Sequence, residues 1–179
     1  RRQRQMCIRH RQRAVLAVLE DQRDVRWDDA QAVVPHDVGV AEASRHGVLR
    51  REERDGVRIT AIPAAHMQLE KNESGYRYLG YVIEANGLTI YHPGDTQPYD
   101  GWYERVSRFK LDIALLPISG VDNLHWMHAV YFCALHRPKL AIPMHYGMFK
   151  GYSEDPQKFV DAASHNIPKQ AVKVLNVGE

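Results

Sequence analysis

The stretch Leu88-Thr89-Ile90-Tyr91-His92-Pro93-Gly94-Asp95-Thr96 decides how the rest of the chain is read. Leu88-Thr89-Ile90 has the character of a strand. Pro93-Gly94 then turns the chain, and the acidic side chain of Asp95 follows the turn. A carboxylate placed just past a strand end reaches into a cleft without being buried in a core. Two histidines have the same setting. His66 closes the run Val57-Arg58-Ile59-Thr60-Ala61-Ile62-Pro63-Ala64-Ala65, and His145 closes Lys139-Leu140-Ala141-Ile142-Pro143-Met144. Three strand-like segments therefore end on metal-capable side chains, in the order His, Asp, His. Imidazole together with carboxylate suits zinc, manganese or iron.

Outward from this stretch the pattern alternates between strands and helices. Val57–Ile62 reads as a strand ended by Pro63. The segments 76–84 and 88–91 read as a hairpin through Asn86-Gly87, a strong turn signal. A short helix is predicted over 101–108, and a continuously apolar, buried strand over 113–117. A helix over 127–136, a strand over 140–143, a helix over 156–165 and a closing strand over 172–175 complete the second half. Upstream, the spacing predicts a helix over 11–23, a strand over 31–35 and a helix over 37–46, with Asp37 as N-cap and Gly47 as its C′ residue. Such alternation indicates an α/β architecture.

Five motifs, taken together and in order, resemble the metallo-β-lactamase superfamily: residues 57–66, 76–83, 91–96 (Tyr-His-Pro-Gly-Asp-Thr), 112–118 (Asp-Ile-Ala-Leu-Leu-Pro-Ile) and 142–147 (Ile-Pro-Met-His-Tyr-Gly). The match looks nearest to the metal-dependent hydrolases that include the ascorbate-6-phosphate lactonases. It is strong over 55–179, faint over 32–48 and absent before that. The expected domain is thus 31–179, preceded by an atypical Arg-rich segment, 1–30. The resemblance implies an αβ/βα sandwich with a site for up to two divalent ions, zinc or manganese, at one edge of two sheets. It further implies that His66 serves one metal, His145 the other, and Asp95 bridges them, with Asp95 and His145 as the catalytic pair. The family's upstream His-x-His-x-Asp-His motif has no counterpart here. His10, among arginines, is the one histidine in residues 1–30. The N-terminal half of the fold is accordingly expected to be incomplete, as in a truncated or altered member.

Bulk properties set further bounds. A chain of 179 residues suffices for one domain with a sizeable core. Its net charge of +2 implies no particular partner. Six arginines fall within the first thirteen residues, but acidic Glu20, Asp21, Asp24, Asp28 and Asp29 follow at once, which weakens a nucleic-acid reading. No apolar run approaches the roughly 18 residues of a membrane span. The N-terminal residues lack the apolar core of a signal peptide, so a cytoplasmic location is expected. Two cysteines, Cys7 and Cys133, make no disulfide framework, and Cys133 reads as a buried thiol.

The other histidines divide by context. His92, beside the glycine turn, reads as a hydrogen-bonded supporting residue rather than a ligand. His125 and His128 fall at a helix start, where they either line the cleft or serve as helix-end polar residues. His36, His46, His136 and His165 read as surface residues. Arg77, Tyr146 and Lys150, together with His125, are candidates for holding an anionic group on a small-molecule substrate. No nucleophile elbow, phosphate-cradling glycine loop or dinucleotide fingerprint is present. Two functional readings follow. One is a hydrolase that sets a metal-activated water on an ester, lactone or related bond. The other is a catalytically defective remnant acting as a non-enzymatic module. A half-fold would leave a sheet face uncovered, and such an apolar patch favours association of copies into a homo-oligomer.

Overall fold

Asn86 and Gly87, both at positive φ, reverse the chain between the strands Leu79–Ala85 and Leu88–His92, as the turn signal requires. The computed structural model describes residues 51–54, 56–72, 75–147 and 154–176. Up to Val174 they belong to one compact unit, Val40–Val174. The elements expected over 11–23, 31–35 and 37–46 lie outside the described residues.

In chain order the strands are β1 (Arg51–Arg54), β2 (Val57–Pro63), β3 (Lys71–Asn72), β4 (Gly75–Tyr76), β5 (Leu79–Ala85) and β6 (Leu88–His92). Helix α1 (Trp102–Ser107) leads to β7 (Ile113–Pro117). Helix α2 (Trp126–His136), β8 (Leu140–Met144), α3 (Pro156–Asn166) and β9 (Ala171–Val172) follow. Among the described residues seven strands form one sheet in the order β1-β2-β5-β6-β7-β8-β9, and β3 pairs with β4 as a separate ribbon. Pairing is antiparallel from β1 to β6 and parallel from β6 to β9. This is the α/β class expected.

The topology brings the candidate residues to one edge of the sheet. Strands β2 and β6 each run antiparallel to β5, so both point the same way, and β7 and β8 run parallel to β6. The C-terminal ends of β2, β6, β7 and β8 therefore share one edge of the sheet. Loops at the carboxyl ends of such strands form the crevice where α/β sheets bind ligands. His66, Asp95 and His145 follow three of those four ends.

The central strands of the sheet are apolar on both faces. Ile62, Val82, Tyr91, Ala114, Leu116 and Ala141 join one buried cluster with Trp102 and Val106 of α1, Phe132 and Cys133 of α2, and Phe159 and Ala163 of α3. The alternate residues Ile90, Ile113, Leu115 and Ile142 are buried as well, as the strands of a parallel sheet demand. These four side chains are shielded from solvent, while Ile59, in register with them through Ile83 and Ile90, is exposed. At the edge opposite the site, Asp112 fastens three strand starts. Its Oδ2 accepts from Thr89 N at 2.7 Å, its Oδ1 meets Lys139 Nζ at 2.6 Å, and its carbonyl accepts from Leu140 N at 2.9 Å.

Several boundaries differ from the sequence reading. The strand expected over 76–84 is broken at Arg77-Tyr78, because Tyr76 pairs with Lys71 in the small ribbon while Leu79 pairs with Pro63 in the main sheet. The closing strand is Ala171–Val172 and pairs only at the start of β8. Strand β1 was not expected, since Arg-Glu-Glu-Arg has no apolar alternation. It is recruited by its register on β2.

Candidate functional site

Asp95 is aimed by its turn. Gly94 has φ +70°, and a Cβ there would lie 2.6 Å from Leu79 O. Gly80 faces the same contact, since a Cβ on it would lie 2.3 Å from Pro93 O. Two glycines thus let the Pro93-Gly94 turn press against β5 and project Asp95 over the strand ends. His92 Nδ1 accepts from Gly94 N at 3.0 Å, which stiffens the turn and gives His92 the supporting role expected of it.

The structure brings Asp95 and His145 together. His145 Nε2 lies 3.0 Å from Asp95 Oδ1, with both side chains partly shielded from solvent. His145 itself has φ +64°, and Met67, next to His66, has φ +67°. Non-glycine residues take this left-handed conformation at a cost, and such strain collects at functional sites. The His66 ring packs at 5.4 Å from the Tyr78 ring. Among the described residues no group of three or more His, Cys, Asp or Glu side chains is gathered to hold a metal ion. The donor chemistry of Asp95 and His145 suits a divalent ion, while a catalytic zinc takes three protein ligands and a water.

Hydrogen bonds join the loops that carry these residues. Ala65 N donates to Thr96 Oγ1 at 2.9 Å, and Gln97 N donates to Ala65 O at 2.8 Å. Thr96 N donates to Asn123 Oδ1 at 3.0 Å, and Ile118 N donates to Met144 O at 2.9 Å. Thr96 and Asn123 escaped the sequence reading. Their partners lie 31 and 27 residues away, so no local pattern announces them.

The candidate substrate-binding residues take distinct places. His125 is the N-cap of α2. Its Nδ1 accepts from Met127 N at 3.3 Å, while His128 Nδ1 accepts from His125 N at 3.3 Å, a reciprocal capping box. His125 Nε2 lies 3.7 Å from Glu154 Oε1. Burial, with the neighbouring His125 charge, lowers the His128 pKa below its ordinary 6.5. Tyr146 packs partly buried against the core cluster. Arg77 is exposed and paired with Glu70 at 2.6 Å, and its guanidinium lies 5.3 Å from the Tyr78 ring that packs on His66. Lys150 lies outside the described residues. His136 corrects another expectation. It is not a free surface residue: its ring packs 4.3 Å from Phe132 and 6.1 Å from Tyr103, because α1 delivers Tyr103 beside the last turn of α2. Cys133 is buried as expected, and burial pushes its thiol up to about 12.

Residues 3–146 match the model of the β-lactamase superfamily domain. The chain belongs to the β-lactamase superfamily. A metal-dependent hydrolase from Pelotomaculum thermopropionicum is 37% identical over 131 residues, covering 70% of this chain and 57% of that protein. Another from Thermococcus onnurineus is 34% identical over 129 residues, covering 71% and 56%. The chain thus spans little more than half the length of these relatives. Among solved structures, Igni18, a metallo hydrolase from Ignicoccus hospitalis, aligns with a TM-score of 0.61 at 27% identity, covering 73% of this chain and 56% of Igni18. An isothiocyanate hydrolase from Delia radicum gut bacteria shares the fold at TM-score 0.60 and 16% identity, covering 74% and 56%. Among the described residues no helix is long and apolar enough to cross a membrane.

Proposed function

We propose that this chain is a metal-dependent hydrolase acting on a small-molecule ester, lactone or related bond, with His66, Asp95 and His145 as ligands for zinc or manganese. One observation carries the reading: in a superfamily member, Asp95 and His145 meet at 3.0 Å on the edge shared by four strand ends. A nitrogen and a carboxylate oxygen at that distance share a proton. Metal ligands must be deprotonated, so His145 would hold a cation as the neutral imidazole and Asp95 as the carboxylate. A bound divalent ion supplies Lewis acidity and a water acidic enough to ionise near neutral pH. Asp95 would orient the attacking water, and His66 and His145 would help to hold the ion. Arg77, Tyr146 and His125 are placed in this reading to hold an anionic group such as a phosphate, with Arg77 exchanging Glu70 for it. The free, buried Cys133 suits a reducing, cytoplasmic setting.

The test is turnover of a panel of lactones, carboxylic esters and phosphorylated lactones by the zinc- or manganese-loaded chain, followed by proton release. The reading expects hydrolysis of at least one class, abolished by a chelator and by Asp95→Ala. A loaded chain that hydrolyses none of them refutes it. A second reading, a non-enzymatic remnant, is favoured by the absence of a three-donor group among the described residues. It expects a folded chain with neither stoichiometric metal nor turnover.

A further inference from the structure

We propose that Thr96 and Asn123 are positioning residues that lock the His66, Asp95 and His145 loops into one arrangement. The inference rests on the reading of those three residues as ligands. Each of the three has an immediate neighbour pinned by a hydrogen bond: Ala65 beside His66, Thr96 beside Asp95, and Met144 beside His145. Two of the pins meet at Thr96. Its hydroxyl accepts from Ala65 N at 2.9 Å and donates to Gln97 O at 2.9 Å, while its N–H donates to Asn123 Oδ1 at 3.0 Å. The third comes from Ile118, in the same post-β7 loop as Asn123. That one loop therefore holds the Asp95 side through Asn123 and the His145 side through Ile118.

Burial makes the arrangement strict. Thr96 has no solvent exposure and Asn123 has 8%, so each polar group lacks water as a substitute partner and favours the one geometry that satisfies it. Asn123 caps no helix here: α1 begins six residues beyond Thr96, and α2 takes His125 as its N-cap. The left-handed backbone at Met67 and His145 needs this kind of surrounding restraint to persist.

The test compares Thr96→Val, which keeps shape but loses both hydroxyl bonds, with Thr96→Ser, which keeps them. Asn123→Ala removes a single acceptor and serves if the valine variant does not fold. Two readouts are taken on the whole chain. Amide hydrogen exchange over residues 64–67 and 94–98 is followed without metal, and manganese affinity is followed by calorimetry. Thr96→Val and Asn123→Ala are expected to exchange faster in both segments and to bind manganese roughly 10–100-fold more weakly, the usual cost of losing a group that orients metal ligands. Thr96→Ser should restore both. Unchanged exchange in Thr96→Val and Asn123→Ala overturns the proposal, as does faster exchange with undiminished manganese affinity. If the wild-type chain binds no manganese, the ligand reading fails by itself, and the exchange readout still decides whether Thr96 holds the loops.

Discussion

Acidification from pH 7 to pH 4.5 should expose a specific weakness at His136. Its ring lies between Phe132 and Tyr103, and its Nε2 is buried without a hydrogen-bond partner. Burial lowers its pKa from 6.5 to about 4, against a smaller opposing pull from the Glu104 carboxylate. The fold thus prefers the neutral ring. Stability from this preference is complete above 6.5, where folded and unfolded chains both hold it neutral. It drains away as pH falls from 6.5 toward about 4, because the unfolded chain takes up the proton first. A shift of that size is worth at most roughly 3 kcal/mol. The ring is partly exposed, and screening by water reduces the figure to about 1–2 kcal/mol. His136→Phe keeps the aromatic contacts and removes both the unmet nitrogen and the titration. Urea unfolding of wild type and variant at pH 7 and pH 4.5 measures this as a double difference, in which the other histidines cancel. The wild type should lose about 1–2 kcal/mol more than the variant between the two conditions. At pH 7 the variant should equal or exceed the wild type, since an apolar replacement spares the desolvation of an unmet polar atom. Equal losses in the two proteins, or a variant much weaker at pH 7, would refute the reasoning.

Other consequences follow from the same geometry. Gly94→Ala adds a Cβ 2.6 Å from Leu79 O on a backbone at φ +70°, and should cost about 1–3 kcal/mol by urea unfolding. Asp112→Ala breaks the bonds to Thr89 N and Lys139 and should cost about 1.5–3 kcal/mol at pH 7. Burial would raise the Asp112 carboxyl, but Lys139 and the Thr89 amide outweigh it and hold the pKa below 3.8. That contribution is present above 3.8 and is lost as pH falls through the lower folded value, so wild type and variant should converge in strong acid. Replacing both His125 and His128 by Ala removes the reciprocal cap of α2 and should cost about 0.5–2 kcal/mol, read by thermal unfolding at pH 7.5. The His128 part of that difference should shrink as pH falls below 6.5, since its lowered pKa favours the neutral, accepting ring.

The strands that carry His66, Asp95 and His145 were legible because each is an apolar run ended by proline or glycine, and such signals are local. The α/β class followed from their alternation with helices. What stayed hidden depends on distant partners. Thr96 and Asn123 act through bonds that cross 27 and 31 residues. The break at Arg77-Tyr78 arises because Tyr76 finds a partner in Lys71 rather than in the main sheet. His136 reads from the sequence as a surface residue, and only the packing of α1 against α2 puts an aromatic wall around it. Charged β1 has no pattern of its own and takes its form from β2.

Metal content of the purified chain, measured by plasma mass spectrometry beside an Asp95→Ala variant of equal stability, tests the assignment of Asp95 and His145 most directly. Stoichiometric zinc or manganese in the wild type, lost in the variant, is the predicted result. A wild type without metal, or a variant that keeps it, would contradict the assignment.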